Sequence, residues 1–450
     1  MALWKIKKGL NVPIKGSPEQ FVSEEKKTGR VALIGYDYIG MKSTMLVAIG
    51  DRVKKGQAIF TDKKMKDVKY TAPGSGTIIE INRGKKRAFE SIVIELDKEE
   101  DEIIFKSYSD DELKNLSKEK IVEQLLNSGT WTSFRTRPYG RVANPNEKPK
   151  AIFVTAIDTE PLSPSVSVTL ENKKKEFHAG LKVISKLTEG NIYVCKKPDA
   201  NIPVPLMDRV SVEEFAGSHP AGLPGTHIHF LDPVSRTKTV WHIDAQDLVA
   251  LGALFLTGKI FIERVISIAG PSVKNPKLIK TRLGAYIPDI TKDELIEADN
   301  RIISGSILSG RTSFDNIQYL GRYHKQVSVL KEGKERIFFG WVAPGFNLYS
   351  IKNIVMSKLF PKKEFEFNTA LNGGQRAMVP IGSYEKIMPL DILPVFLLRA
   401  LLIKDVEEAE KLGALELIEE DLSLCSLVST TKREYGEVLR ENLTIIEKEG

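Results

Sequence analysis

Between residues 30 and 100, apolar and polar positions alternate in short runs broken by Gly and Pro. Ile49–Phe60 (IGDRVKKGQAIF) turns at Gly50 and Gly56, and Tyr70–Ile81 (YTAPGSGTIIEI) turns at Pro73, Gly74 and Gly76. Such punctuated alternation predicts short strands joined by tight turns. The pattern then lengthens. Helical spacing predicts a helix over Leu113–Leu126, and the apolar run Ala151–Ala156 (AIFVTA) predicts a buried strand. Phe177–Leu187 reads as a helix and Gly190–Cys195 as a strand, which makes a β-α-β unit with a parallel pair. Asp247–Leu256 (DLVALGALFL) predicts an apolar core helix.

Strand–turn patterning returns over Arg264–Ala269, Arg301–Leu308, Tyr319–Val329 and Arg336–Val342, with a helix or loop across Thr291–Asn300. Beyond residue 346 the chain reads as mainly helical. Leu390–Ile403 and Val406–Leu412 come first, the second stopped by Gly413, and Glu419–Leu427 and Tyr435–Glu447 follow. The expected architecture is a multidomain α/β protein. It comprises a barrel-sandwich domain (1–100), a Rossmann-like α/β domain (101–259), a β-grasp, soluble-ligand-binding domain (260–345) and a C-terminal helical domain (346–450). The first rests on G-D-x-V-x-x-G-Q followed by A-P-x-x-G, which resembles lipoyl- and biotinyl-type domains. Their modified Lys would stand at Met65, between Lys64 and Lys66, so the acceptor register is lost.

Charge is unevenly spread. The net formal charge is +7, and residues 1–100 hold 20 Lys+Arg against 13 Asp+Glu, so that segment carries the whole excess. A basic domain can face nucleic acid, an anionic membrane surface or an acidic partner. No helix-turn-helix, zinc finger or RNA-binding aromatic signature is present, so no nucleic-acid partner is expected. Two distant cysteines, Cys195 and Cys425, build no disulfide framework, zinc ribbon or iron–sulfur cluster, and they point to a reducing compartment. The N-terminus lacks the apolar stretch of a signal peptide. The longest apolar run, Ile392–Ile403, contains Arg399 and is too short to span a bilayer, so any membrane role must be peripheral.

The candidate chemistry centres on the loop Ser128–Arg141 (SGTWTSFRTRPYGR). Trp131, Phe134 and Tyr139 interleave there with Arg135, Arg137 and Arg141. Flat apolar faces beside fixed cations suit a planar, carbonyl-bearing ring better than a pyrophosphate, which would need Gly. The same residues could equally be core anchors and a solvated cationic face. Gly35–Met41 (GYDYIGM) adds Tyr36, Tyr38 and Met41 as further candidates, with an exposed turn as the plain alternative. Asp158 and Glu160 stand at the carboxyl end of a strand, the edge where open α/β sheets bind ligands, although acids there also cap loops. His219, His227 and His229 are close in sequence, and the last two would share one face of a strand. No Cys or Glu completes a metal set, so no metal is expected. Ser309-Gly310-Arg311-Thr312 lacks the pattern needed to carry a flavin on Thr, and Glu416, Glu419, Glu420 and Asp421 read as a solvated helix start. No GxGxxG or P-loop follows any strand.

A whole-length resemblance joins these segments. Ile6–Leu10, Thr71-Ala72-Pro73, Ile81–Gly84, Arg135–Pro138, Asp158-Thr159, His219–His227, Ile302–Gly310, Tyr319–Tyr323, Met378–Gly382, Leu415–Cys425 and Ile446–Gly450 all resemble one family. That family is the A subunits of bacterial Na+-translocating NADH:quinone reductases. More distantly, the domain order resembles the C subunit of the Rnf complex and the flavin-binding subunit of respiratory complex I. Those relatives place a glycine-rich run over a flavin, where this chain reads Thr130–Arg135 without glycines. The Rnf relative further carries cluster cysteines in its helical end, where only Cys425 remains.

The resemblance implies a cytoplasmic-face, peripheral subunit of a respiratory-chain, sodium-transporting translocase on the bacterial inner membrane. Its partners are the other subunits, chiefly the membrane-embedded ones. NAD-linked electrons travel through flavins and an iron–sulfur centre held elsewhere in the complex to ubiquinone. This subunit is expected to have no cofactor and no catalytic set of its own. Two readings of its role follow: it contributes to the quinone site through Trp131, Phe134, Arg135, Arg137, Tyr139, Tyr36, Tyr38 or Met41, or it is a scaffold that orients the redox subunits.

Overall fold

A computed structural model describes residues 2–335, 339, 340 and 342–449. The barrel-sandwich unit is two small sheets. One runs in the order Arg30–Ile34, Phe89–Leu96, Gly76–Arg83, Arg52–Val53, and the other joins Ser43–Met45, Ala58–Asp62 and Lys69–Thr71. Val31 and Leu33 point into the barrel core, whereas Ala32 and Ile34 pack outward on Ile317 and Tyr319. One strand thus feeds two cores, as period-two geometry allows.

The α/β unit is a six-stranded sheet in the order Leu3–Ile6, Val210–Gly217, Ile192–Lys196, Ile152–Ala156, Val240–Asp244, Arg135–Arg137. Its pairings are parallel except the last, which is antiparallel. Both faces of Ile152–Ala156 are covered, which explains its unbroken apolar run. Helices Lys174–Ile184 and Ala245–Thr257 cross on one face at a contact set by two glycines. A Cβ on Gly252 would stand 1.8 Å from the Glu176 carbonyl oxygen, and one on Gly180 would stand 2.4 Å from that of Leu248.

The third unit is a mixed sheet in the order Arg311–Thr312, Asn300–Ser304, Gln326–Lys331, Glu263–Ala269, Lys277–Arg282, Val22–Glu25. The N-terminal 25 residues are straps: Leu3–Ile6 completes the α/β sheet and Val22–Glu25 completes this one. Behind these sheets lie the helices Ser383–Ile387, Pro394–Ile403, Val406–Lys411, Ser423–Val428 and Tyr435–Glu449, packed on their own apolar cluster.

Several sequence expectations are corrected. The helix over Leu113–Leu126 is two, Asp110–Asn115 and Lys118–Asn127, because Ser109 forms a capping box and Ser117 opens a second start. The strand over Arg301–Leu308 ends at Ser304, where Gly305 takes φ +97. The strand over Tyr319–Val329 begins only at Gln326. Lys277–Arg282 (KLIKTR) is a strand that its charges concealed, with Leu278, Ile279 and Thr281 buried. In the expected strand Arg336–Val342, Arg336, Ile337, Phe338 and Trp341 lie outside the described residues, and Phe339, Gly340 and Val342 form turns. From 346 to 382 the only helical element among the described residues is the single turn Met356–Leu359. His227 and His229 sit in the helix Pro224–Leu231, not a strand, because Pro224 presets its first turn.

No helix among the described residues is long and apolar enough to cross a membrane. Gly252→Ala is expected to force the two crossing helices apart and cost about 1–3 kcal/mol, read as a lower urea midpoint at unchanged slope.

Candidate functional site

The four units meet around a cleft of about 520 Å³. Its floor is the carboxyl edge of the central sheet, with Thr155 and Asp158 at the end of one strand and Asp244, Gln246 and Asp247 at the end of its neighbour. Asp244 caps the helix Ala245–Thr257 through the Gln246 amide. Arg135 enters from the loop the sequence singled out. Arg322 to Lys325 enter from the bend before Gln326–Lys331, Ser309 and Arg311 from the third unit, and Glu419 and Glu420 from the C-terminal one.

Most of these charges are neutralised across unit boundaries. Arg322 Nη1 donates to both Asp247 oxygens at 2.9 and 3.0 Å, and its Nη2 donates to Ser133 Oγ at 2.8 Å. Arg264 pairs with the same Asp247. Lys325 Nζ lies 2.7 Å from Asp158 and 3.1 Å from Asp244, and together these carboxylates hold its ammonium well above the usual range despite burial. Arg311 Nη1 donates to Asp37 at 2.6 Å, and the Arg135 guanidinium lies 4.6 Å over the Tyr323 ring.

Glu160 differs from the other acids. Burial, and then the neighbouring Asp158, push its carboxyl up to about 8, while Ser309 Oγ donates to it at 2.6 Å. Both causes favour its protonated form, in which it could donate a hydrogen bond. Burial also lowers four histidines. His219 and His324 fall to about 4, His227 to about 3, and His242 well below its ordinary value.

The structure divides the candidates named from sequence. Arg135 and Tyr36 line the cleft, and Tyr36 is 60% exposed at its rim. Trp131 and Phe134 are core residues that pack on Trp241 at 5.5 and 5.7 Å, with Trp131 Nε1 donating to the Ala143 carbonyl at 2.8 Å. Arg137 is fully buried and donates to Asp421 at 2.7 Å, to Glu420 at 3.0 Å and to the Glu416 carbonyl at 3.0 Å. Tyr139 packs on the C-terminal core, and its carbonyl accepts from Arg440. Tyr38 is buried with its ring 4.7 Å from that of Tyr70, and Met41 lies against the barrel core. Arg141 pairs with Glu447.

The three histidines do not converge. His227 Nε2 lies 3.0 Å from the Ala221 carbonyl, His229 bridges Glu416 and the Asp391 amide, and His219 contacts Thr159. Among the described residues no group of three His, Cys, Asp or Glu could hold a metal. Of the acids expected as a solvated helix start, Glu420 and Asp421 instead accept from the buried Arg137, and Glu416 meets the His229 ring with its side chain and Arg137 with its carbonyl. Sequence reasoning also missed Arg322, Tyr323, His324 and Lys325. The available signal was a polar run, RYHK, interrupting an otherwise apolar strand pattern.

These groups predict a pH profile with separable limbs. A His whose folded value is lowered costs stability as pH falls below its unfolded value near 6.5, so stability should rise from about pH 4 to 6.5. A Glu whose folded value is raised costs stability as pH climbs from its unfolded value of about 4.3 to 8, so a fall should persist above pH 6.5. Glu160→Gln is expected to steepen the rise between about pH 4.3 and 6.5 and to flatten the fall between pH 6.5 and 8 in thermal melts. An unchanged slope there would refute the protonated Glu160.

Comparison with known proteins places this geometry. The profile of the NqrA N-terminal barrel-sandwich hybrid domain matches residues 4–97, that of the NqrA second alpha/beta domain residues 116–260, and that of the NQRA C-terminal domain residues 265–314. The A subunit of the Na(+)-translocating NADH-quinone reductase of Marinomonas sp. (strain MWYL1) is 54% identical over 448 residues, 100% of each chain. Its counterparts in Cellvibrio japonicus and Hahella chejuensis are each 52% identical over 446 residues, 99% of this chain and 100% of theirs. Among solved structures, an air-oxidized NAD+-reducing [NiFe]-hydrogenase overlaps 48% of this chain and 47% of its own at 14% identity and a TM-score of 0.36, too slight to carry an argument. Continuous identity above one half, end to end, settles the matter: the chain belongs to the family of A subunits of the Na+-translocating NADH-quinone reductases.

Proposed function

We propose that this chain is the peripheral, cytoplasmic-face subunit of a Na+-pumping NADH:quinone oxidoreductase, and that it contributes to quinone reduction with no flavin or iron–sulfur centre of its own. The observation that carries the reading is an apolar fringe. More than half of the exposed large apolar side chains among the described residues fall between Phe339 and Ile403, including Ile354, Leu359, Leu393, Phe396 and Ile403. Such a concentration of exposed apolar side chains in one stretch suits docking on membrane-embedded subunits. The cleft supports the second half of the proposal. Its charges are committed to one another, and the loop that could have cradled a nucleotide is filled with Trp131 and Phe134.

The scaffold reading is favoured by one observation, the complete burial of Arg137. A cation paired with acids of another unit serves assembly of the fold and is closed to a headgroup. Arg135 and Tyr36 keep the quinone reading open to test, since both face the cleft. The purified full chain is expected to show no absorbance in the flavin band. Leu393→Asp with Phe396→Asp is expected to leave the chain folded but to prevent its incorporation into the complex. Arg135→Ala should weaken quinone-site inhibitor binding in the assembled enzyme. Unchanged inhibitor binding would leave the scaffold reading alone.

A further inference from the structure

The net charge of the chain is confined to its first 100 residues, and the remaining 350 hold 46 basic and 46 acidic residues. Within the barrel the excess gathers at one end. Lys63, Lys64 and Lys66 occupy the turn between Ala58–Asp62 and Lys69–Thr71, and Lys85, Lys86 and Arg87 occupy the turn between Gly76–Arg83 and Phe89–Leu96. Rings at the bases of the two turns, Phe60 and Phe89, lie 5.0 Å apart, so the turns stand side by side. Lys42 joins them, its carbonyl accepting from the Lys63 amide at 2.8 Å.

All six turn cations are exposed, and none has an ion-pair partner among the described residues. Asp62 is buried beneath them, its carboxylate accepting the Lys42 and Lys64 amides. The acids left nearby, Asp67 and Glu90, are too few to cancel the patch. Some surface cations elsewhere are paired across elements, as in Arg52–Asp97 and Arg236–Glu410, whereas here six that are unpaired among the described residues gather on two neighbouring turns. Lys63, Lys64 and Lys66 also line, with Asn144 and Asn146, a pocket of about 310 Å³ that could take a phosphate group.

We propose that this basic end of the barrel is an electrostatic docking surface for anionic phospholipid headgroups. Juxtamembrane Lys and Arg clusters gain most when several act together within a Debye length of a charged surface. The turns carry no exposed aromatic ring on which a nucleic-acid base could stack, and no apolar wedge, so the contact is with headgroup phosphates and not with acyl chains.

Sedimentation of the full chain with vesicles tests this. Phosphatidylcholine vesicles containing phosphatidylglycerol are expected to bind the protein at low salt, to release it at high salt, and to outcompete phosphatidylcholine alone. The variant Lys63→Glu/Lys64→Glu/Lys66→Glu should bind at least about tenfold more weakly with an unchanged melting curve. A control of equal charge change on another face, Lys174→Glu/Lys175→Glu/Lys186→Glu, should bind within about twofold of the parent. Equal binding to neutral vesicles, equal loss in the control, or undiminished vesicle binding by the turn variant would overturn the proposal. If the turn variant kept vesicle binding yet no longer assembled into the complex, the patch would be a protein-docking site instead.

Discussion

One buried ion pair fixes how the α/β unit and the C-terminal unit meet. Arg137, at the end of the antiparallel edge strand Arg135–Arg137, has no contact with solvent and spends its guanidinium on Asp421, Glu420 and the Glu416 carbonyl. Asp421 in turn accepts the Ile418 amide at 2.9 Å. It sits so close to the start of the helix Pro224–Leu231 that a Cβ on Gly225 would stand 2.2 Å from its Oδ1. A carboxylate there also meets the positive end of that helix. Removing one member of such a pair strands a charge in a medium that cannot solvate it, which costs about 3–5 kcal/mol.

The cleft depends on that joint. Glu419 and Glu420 reach it from the C-terminal unit, which Arg137 helps to hold in place, and Arg135, two residues earlier, faces it by strand alternation. The other walls are held the same way, by Arg322 on Asp247, Lys325 on Asp158 and Asp244, and Arg311 on Asp37. The cleft is therefore a place where the four units are cross-linked by charge. Glu160 stands apart from these pairs: burial and Asp158 push its carboxyl upward, and its partner is the Ser309 hydroxyl.

Long apolar runs made much of the fold legible. Ile152–Ala156, Ala245–Thr257 and the helices after Pro394 were readable because burial on several faces leaves an unmistakable composition. Lys277–Arg282 was hidden because it alternates charged residues with a short apolar pair. His227 and His229 were misread because a spacing of two suggests a strand unless Pro224 is weighed as a helix start. The loop Ser128–Arg141 stood out by its alternation of rings and arginines, but that pattern does not reveal that Trp131 and Phe134 turn inward. Ring orientation depends on Trp241, about a hundred residues away. The cleft was illegible for the same reason, since Arg311 meets Asp37 and Arg322 meets Ser133 only after the units assemble.

The central claim is that Arg137 and Asp421 act as one joint between units. A double-mutant cycle of Arg137→Met and Asp421→Asn, followed by urea unfolding of the full chain, measures it directly. The account predicts strong non-additivity: each single change costs several kcal/mol, and the double costs less than their sum by about 2 kcal/mol or more. Additive losses would mean that the two side chains stabilise their units independently, and the account would fail.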